Sequence, residues 1–377
     1  MNGLIYHSVD CTNSKVSYKS GDLCDFLIQQ SGRDLVLTNG YGIRVEGKFK
    51  ANETADTRQD AKDVKIDKYV GIHAVCESIT TEFQNVGVVE TINEYPRMES
   101  ALVRATENDD DMNNAINQVE LKAPSEEIAR QYCRGYGRTA WCGGGAANVR
   151  DYDFSFKPMI CLNQSSANLP FDKSGYVKVS INLAKDLSVF YGTGNNDGTD
   201  VNNYTLSDLR VCYYSLPANP SPPLAVMDST INFKTSLNSG HTNISARIPA
   251  KCSAVYMNFL GQSVENAQFQ NNQMMEKLPL LNYVQFEFAD STSQFVSYKI
   301  ESKDDQLHKF LEAVGSRGHN AVSVDKWKSN DGFGLGLSFN GVVDLSSDKF
   351  NVELDSDFDF AGTPYIAYMY FKTSISI

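Results

Sequence analysis

The chain is predicted to be all-β, built as two β-sandwiches in tandem. Three observations carry this: strict two-residue alternation recurs in both halves, helical periodicity is confined to short stretches, and a proline-rich stretch divides the chain near its middle. With 377 residues, 41% of them hydrophobic, the chain can bury one large core or two ordinary ones. Its 19 Tyr and 20 Phe favour pleated, half-buried surfaces.

The alternation is clearest from Gly42 to Lys50. There Ile43, Val45 and Phe49 point one way and Arg44, Glu46, Lys48 and Lys50 the other. Tyr176 to Asn182 repeats the pattern with Val177, Val179 and Ile181 inward. In the second half Val284, Phe286 and Phe288 alternate with Gln285 and Glu287, and Phe350, Val352 and Leu354 with Asn351 and Glu353. Helices are few. Ser302 to Gly315 has a capping-box pattern at Ser302 and Asp305, an apolar face of Leu307, Phe310, Leu311 and Val314, and a stop at Gly315. A second helix is expected after Ser125, through Tyr132. Each half closes on a turn-rich acidic loop and then a Tyr-rich strand, Leu209 to Tyr214 and Tyr365 to Phe371. Both strands are apolar on two faces, as in the middle of a sheet. Between the halves, Ser215 to Pro223 holds four of the 11 prolines and must run extended. The expected division is 1–27 as an N-terminal segment, 28–216 as the first sandwich, 217–226 as the linker and 227–377 as the second sandwich.

Charge narrows the function. The net charge is −12, and both halves are acidic: 22 basic against 29 acidic residues up to Leu216, 12 against 17 after it. A protein that grips phosphates needs clustered Lys and Arg. The first thirty residues carry only Lys15 and Lys19, so no direct nucleic-acid binding is expected. The N-terminus reads as no secretory signal, and no stretch approaches the roughly 18 apolar residues of a membrane helix. The eight cysteines are scattered without a C-x-x-C pair, so reduced thiols are expected, with Cys212 among those in apolar runs.

Reactive constellations are missing from the sequence. His7, His73, His241, His308 and His319 are too far apart for a two-histidine metal motif, and His308 lies on the polar side of its helix. No nucleophile elbow and no phosphate loop occurs. Trp141 to Ala147 is a Gly run without strand-then-helix context and reads as a flexible connection rather than an anion cradle. Glu107 to Asp111 reads as a solvated loop. Asn195 to Asp200 offers oxygen ligands for calcium but lacks the downstream Glu of an EF-hand loop, so an ordinary turn is expected. Asp355, Asp357 and Asp359 share one face of an extended segment, and a polar strand face is the better reading than a carboxylate pair for sugar hydrolysis. The N-x-[ST] triplets at Asn52, Asn163, Asn203 and Asn243 carry little weight without a signal. The expected catalytic, cofactor and metal sites are none, and the expected protein is not an enzyme.

Several segments carry a resemblance. They are Ser31 to Leu37 leading into Gly42 to Gly47, and Tyr95 to Ser100 before an Asp/Asn-rich loop. Asp153 to Pro158, Leu169 to Phe171, Val177 to Leu183 and Tyr204 to Leu209 follow in the first half. The second half adds Asn243 to Pro249 and Leu281 to Phe286. Together they resemble the double jelly-roll major capsid proteins of tailless icosahedral viruses, the lineage of membrane-containing bacteriophages and adenoviruses. The first and last two of these segments look like the opening strands of the two jelly rolls. The resemblance implies two eight-stranded jelly rolls and a homotrimer of roughly hexagonal outline. It also implies neighbouring capsomers and minor capsid or penton proteins as partners, often an internal membrane, and no catalytic residues. The expected location is a virion capsid made in host cytoplasm, a bacteriophage being the favoured source. The main alternative is a carbohydrate-binding receptor-binding spike or glycan-processing β-sandwich, which the two tryptophans, Trp141 and Trp327, disfavour.

Overall fold

The computed structural model describes residues 4–29, 34–36, 42–52, 65–108, 110–133, 151–165, 167–192, 203–217, 226–267, 270–289, 295–315, 323–329, 331–346 and 349–376. The first half contributes β1 (Ile5–Asp10), β2 (Tyr18–Lys19), β3 (Leu23–Ile28), β4 (Asp34–Val36), β5 (Arg44–Asn52), β6 (Cys76–Phe83), β7 (Gly87–Asn93), β8 (Tyr152–Phe156), β9 (Leu169–Pro170), β10 (Val177–Leu183) and β11 (Asn203–Pro217). The second contributes β12 (Val226–Leu237), β13 (His241–Ala246), β14 (Lys251–Gly261), β15 (Leu281–Ala289), β16 (Phe295–Ile300), β17 (Leu335–Asp344), β18 (Phe350–Ser356) and β19 (Tyr365–Ser376). Three longer helices lie in the connections: α1 (Tyr95–Thr106), α2 (Glu126–Cys133) and α3 (Lys303–Val314).

The alternating segments form the expected strands because a period of two puts every second side chain on the core face. Ile43, Val45 and Phe49 are buried at β5, as are Val177, Val179 and Ile181 in β10. The inward rows of β15 and β18 are buried too. In α3 the four apolar residues are buried and Gly315 takes the left-handed conformation, φ 87°, that ends the helix. Ser302 sits at the N-cap, but its side chain makes no cap hydrogen bond, so the expected capping box does not form.

The two halves have the same topology. Numbering the eight principal strands of the first half in chain order (β1, β3, β5, β6, β7, β8, β10, β11), the pairings give one sheet in the order 1-8-3-6 and a second in the order 2-7-4-5. Strands β12 to β19 pair in the same two orders. This is the eight-stranded jelly roll twice over. The closing strands β11 and β19 lie mid-sheet as expected, each with neighbours on both sides. Strands β2, β4 and β9 extend the first half.

The opening strands differ from expectation. The segment 1–27 is no lead-in, because β1 pairs with β11 and β3 with β10 as integral strands. Asp34 to Val36 is an added strand, and Arg44 onward is the third principal strand. In the second half β12 opens the jelly roll, Asn243 lies in the second strand and Leu281 starts the fourth. These strands were missed because β1 is an edge whose burial alternates weakly, and β12 is amphipathic only over part of its length. The Pro-rich stretch 218–225 lies outside the described residues.

The halves meet laterally. The edge strand β7 of the first runs parallel to the edge strand β12 of the second through the Ile231–Thr91 pair, making one eight-stranded sheet across both. One hydrophobic cluster runs continuously through both halves.

Candidate functional site

The polar chemistry of the molecule concentrates in the seam between the jelly rolls, and helix α1 organises it. Pro96 sits in the first turn of α1, where its missing N–H costs nothing, after Glu94 at φ 51°. Met98, Ala101 and Ala105 pack into the core on one face. Arg97, Ser100 and Arg104, spaced i, i+3 and i+7, share another face that addresses the second jelly roll. The same spacing is visible in the sequence, but Tyr95 to Ser100 is matched there only by resemblance, to a connection within the first domain, and nothing local shows which surface this face meets.

Arg97 is buried and reaches four acceptors of the second half. Nη1 donates to the Asn272 carbonyl (2.5 Å), and Nη2 to Asn258 Oδ1 (3.0 Å), the Phe259 carbonyl (3.2 Å) and the Met274 carbonyl (2.9 Å). Its guanidinium lies 4.2 Å from the Tyr368 ring centroid. Asn258 Nδ2 donates back to the Arg97 carbonyl at 3.1 Å. Ser100 Oγ donates to the Gln273 carbonyl at 2.7 Å. Arg104 bridges the halves by ion pairs to Asp67 (2.7 Å) and Asp331 (2.8 Å). Burial disfavours its charge, yet the two carboxylates outweigh that and hold its pKa above the ordinary value. Burial likewise opposes ionised Asp67, but Arg104 and the donors Asn271 and Tyr69 N–H keep its carboxyl below the usual range. Charged groups this deep persist only when paired and hydrogen-bonded.

Beside the strand junction, Asn93 and Asn232 exchange side-chain to backbone hydrogen bonds at 3.0 Å each. Glu90 is buried there. It accepts from Cys161 N–H (2.6 Å) and Thr81 Oγ1 (3.1 Å) within its own half, and from Thr230 N–H (3.3 Å) across the seam. Burial pushes its pKa from 4.5 up to about 7, against the pull of these donors.

A second buried cluster lies within the first jelly roll: His73, Glu99, Glu120 and Lys122. One ligand atom from each of His73, Glu99 and Glu120 lies within 4.8 Å of the others, a spacing compatible with a metal. Lys122 already supplies the cation: its Nζ is 2.8 Å from Glu99 and 3.0 Å from Glu120. His73 Nδ1 is 2.8 Å from the Tyr95 hydroxyl and Nε2 is 3.3 Å from Glu120. Burial works against both charges, but His73 and Lys122 draw the Glu120 pKa far down, and the carboxylates raise that of Lys122. The arrangement is a buried polar network in which one ammonium faces two carboxylates. Sequence reading missed it because its members come from three separate segments, around 73, 99 and 120–122, with no motif spacing.

Of the features singled out in the sequence, His241 and Asp355 meet on paired strands, 3.5 Å apart, and the other described ones stay apart. His308 is on the exposed face of α3, 3.7 Å from Glu312. Asp355 and Asp357 accept from Asn282 Nδ2 (3.2 and 2.9 Å), and Asp359 accepts from Ala361 N–H (2.9 Å), giving a polar surface. Glu107 differs from the expected solvated loop: it is half-buried, its pKa is raised by that burial, and it accepts from Asn117 Nδ2 at 2.6 Å. Asn163 is buried and bonds to the Ile43 backbone, so it is no glycan acceptor in the fold. Cys212 is buried as expected. Trp141 to Ala147, Asn195 to Asp200 and His319 lie outside the described residues. Among those residues no helix is long and apolar enough to cross a membrane.

No family model matches the chain, and no curated protein matches its sequence. Solved structures do match over essentially the full length. The PBCV-1 VP54 structure fitted into a reconstruction of the virophage Sputnik superposes with a TM-score of 0.61 at 12% identity, covering 100% of this chain and 95% of that one. The Faustovirus major capsid protein gives 0.58 at 8%, covering 100% and 90%. The STIV MCP gives 0.51 at 9%, covering 99% and 97%. At such identities the likeness is one of fold, and the fold of this chain is the double jelly roll of those capsid proteins.

Proposed function

We propose that the chain is a major capsid protein whose trimers form pseudo-hexameric capsomers of an icosahedral virion shell. The observation that carries this reading is the end-to-end match of both jelly rolls, and of nothing smaller, to capsid subunits of other viruses. The buried seam supports it, because a shell subunit needs its two jelly rolls held at one fixed angle. The acidic surface, at net charge −12, would keep free capsomers apart and soluble before assembly. On this reading the protein is structural rather than catalytic, and its partners are copies of itself, neighbouring capsomers and minor shell proteins, with an internal membrane beneath. The first jelly roll runs from β1 to β11 and the second from β12 to β19, with the linker between Pro217 and Val226. A bacteriophage source finds no support in the three structures compared, and none is proposed.

The experiment is a mass measurement and negative-stain imaging of the purified protein. A particle of three times 41.8 kDa with a near-hexagonal end view is expected. A monomer at micromolar concentration would refute the reading.

A further inference from the structure

Two cysteines of the first jelly roll meet where the chain passes from one of its sheets to the other. The Cys11 N–H donates to the Leu209 carbonyl of β11 at 3.2 Å, in the sheet that holds β1. The next residue has crossed over. Thr12 N–H donates to the Asp25 carbonyl of β3 at 2.8 Å, and Thr12 Oγ1 to the same carbonyl at 3.0 Å. This contact between backbones sets Cys11 against Cys24, and the two thiols are hydrogen-bonded to each other. Both residues are buried, at 3% and 1% exposure, and both thiols are free.

The two thiols are not equivalent. The hydrogen bond from Cys24, with a second from the Tyr18 hydroxyl, holds the Cys11 pKa below the usual thiol range against the effect of burial. The same contact, together with burial, pushes Cys24 well up. Cys11 therefore carries the thiolate and Cys24 the proton, which is the division between an attacking and a resolving thiol. Cys76, Cys161, Cys212 and Cys252 differ, since burial raises the pKa of each. Residues 12–17, which lead away from Cys11, are all exposed, so solvent reaches to within one residue of the thiol.

We propose that Cys11 and Cys24 form a disulfide with a small disulfide such as oxidised glutathione as oxidant, and that the bond clamps the two sheets of the first jelly roll together along one side. On that side lie β1 and β3, which among the described residues pair only with β11 and β10. The Cys11 thiolate attacks one sulfur of the oxidant, forming a mixed disulfide and releasing one glutathione thiolate. The neighbouring negative charge is then gone, so Cys24 can give its proton to solvent. Its sulfur attacks Cys11 Sγ and expels the second glutathione. Two protein thiols are oxidised and one small disulfide is reduced to two thiols. A reducing cytoplasm maintains the free thiols, and oxidising surroundings outside a cell favour the bond. The bond follows from the thiol pair alone, whatever the chain assembles into.

Thiol counting tests it. The purified full-length protein is incubated with oxidised glutathione or with dithiothreitol, then blocked with N-ethylmaleimide in denaturant and weighed by mass spectrometry. The reduced sample is expected to carry eight adducts, one for each cysteine. The oxidised sample should carry two fewer, with one tryptic cross-link joining Cys11 to Cys24. The oxidised form is also expected to melt several degrees higher, and dithiothreitol to reverse the rise. Cys24→Ser should keep one glutathione on Cys11, and Cys11→Ser should take none on Cys24, each with the circular dichroism spectrum of the parent. A full count of adducts after oxidation, a lasting glutathione adduct on Cys11 of the parent, or a cross-link through other cysteines in place of this pair overturns the proposal, and none of these readouts needs a variant to fold. An unchanged melting temperature with the cross-link in place overturns the clamp.

Discussion

Glu90 is a buried ionisable side chain on β7, and the fold keeps it at the junction of the two jelly rolls. Its folded pKa, about 7, lies above the ordinary 4.5. The folded state therefore holds a proton that the unfolded state has released between those values, and stability falls as pH rises through that window. Below pH 4.5 the contribution is fully present, and above about 7 it is gone. The span corresponds to about 3 kcal/mol. Urea melts at pH 5 and pH 8 are expected to show this loss in the parent and a flattened dependence in Glu90→Gln. Lys122 behaves differently, because its ammonium pairs with two buried carboxylates. Lys122→Met is expected to cost about 3–5 kcal/mol in urea denaturation by leaving uncompensated charge. Adding Glu99→Gln and Glu120→Gln should recover part of that loss. Neither role was legible in the sequence, since nothing local marks Glu90 as buried at a seam or Lys122 as the partner of Glu99.

Among the elements, α1 does the most to join the halves. Its residues Arg97, Ser100 and Arg104 each reach the second jelly roll, and Arg104 also holds Asp67 of the first. Arg97→Ala would strand Asn258 Oδ1 and the Asn272 and Met274 carbonyls in a buried site, each worth about 1–3 kcal/mol when unsatisfied. A drop of several kcal/mol in unfolding free energy is expected by denaturant titration. Helix α3 offers a smaller test. Gly315 stands at φ 87°, and an added Cβ would meet Lys372 Nζ at 3.2 Å. Gly315→Ala should cost about 1–2 kcal/mol in the same titration. The α3 stop was plain in the sequence because a glycine after an amphipathic run has one physical meaning there. The role of α1 was not, because its polar face looks like solvent exposure until the second jelly roll is set against it.

At the scale of the molecule, a continuous core and a shared eight-stranded sheet make the two jelly rolls one cooperative unit. Calorimetry of the parent is expected to show a single transition. Arg97→Ala combined with Ser100→Ala, which removes hydrogen bonds across the seam, is expected to split it into two. A single transition that only moves to lower temperature would show that the remaining contacts suffice to couple the halves.

Period-two alternation by itself determined that Ile43, Val177, Phe286 and Phe350 face a core. A Tyr-rich run apolar on both faces determined that β11 and β19 lie mid-sheet. These are local consequences of pleating, since a strand's two faces are written in adjacent residues. Tertiary structure alone decided that Ile5–Asp10 opens the first jelly roll, that Arg97 and Arg104 face inward, and that β7 lies beside β12 while β1 and β16 remain open. Those outcomes depend on which surfaces meet across more than a hundred residues of chain. The free energy of pairing a buried guanidinium or filling a sheet edge belongs to both partners at once, so neither segment carries it alone.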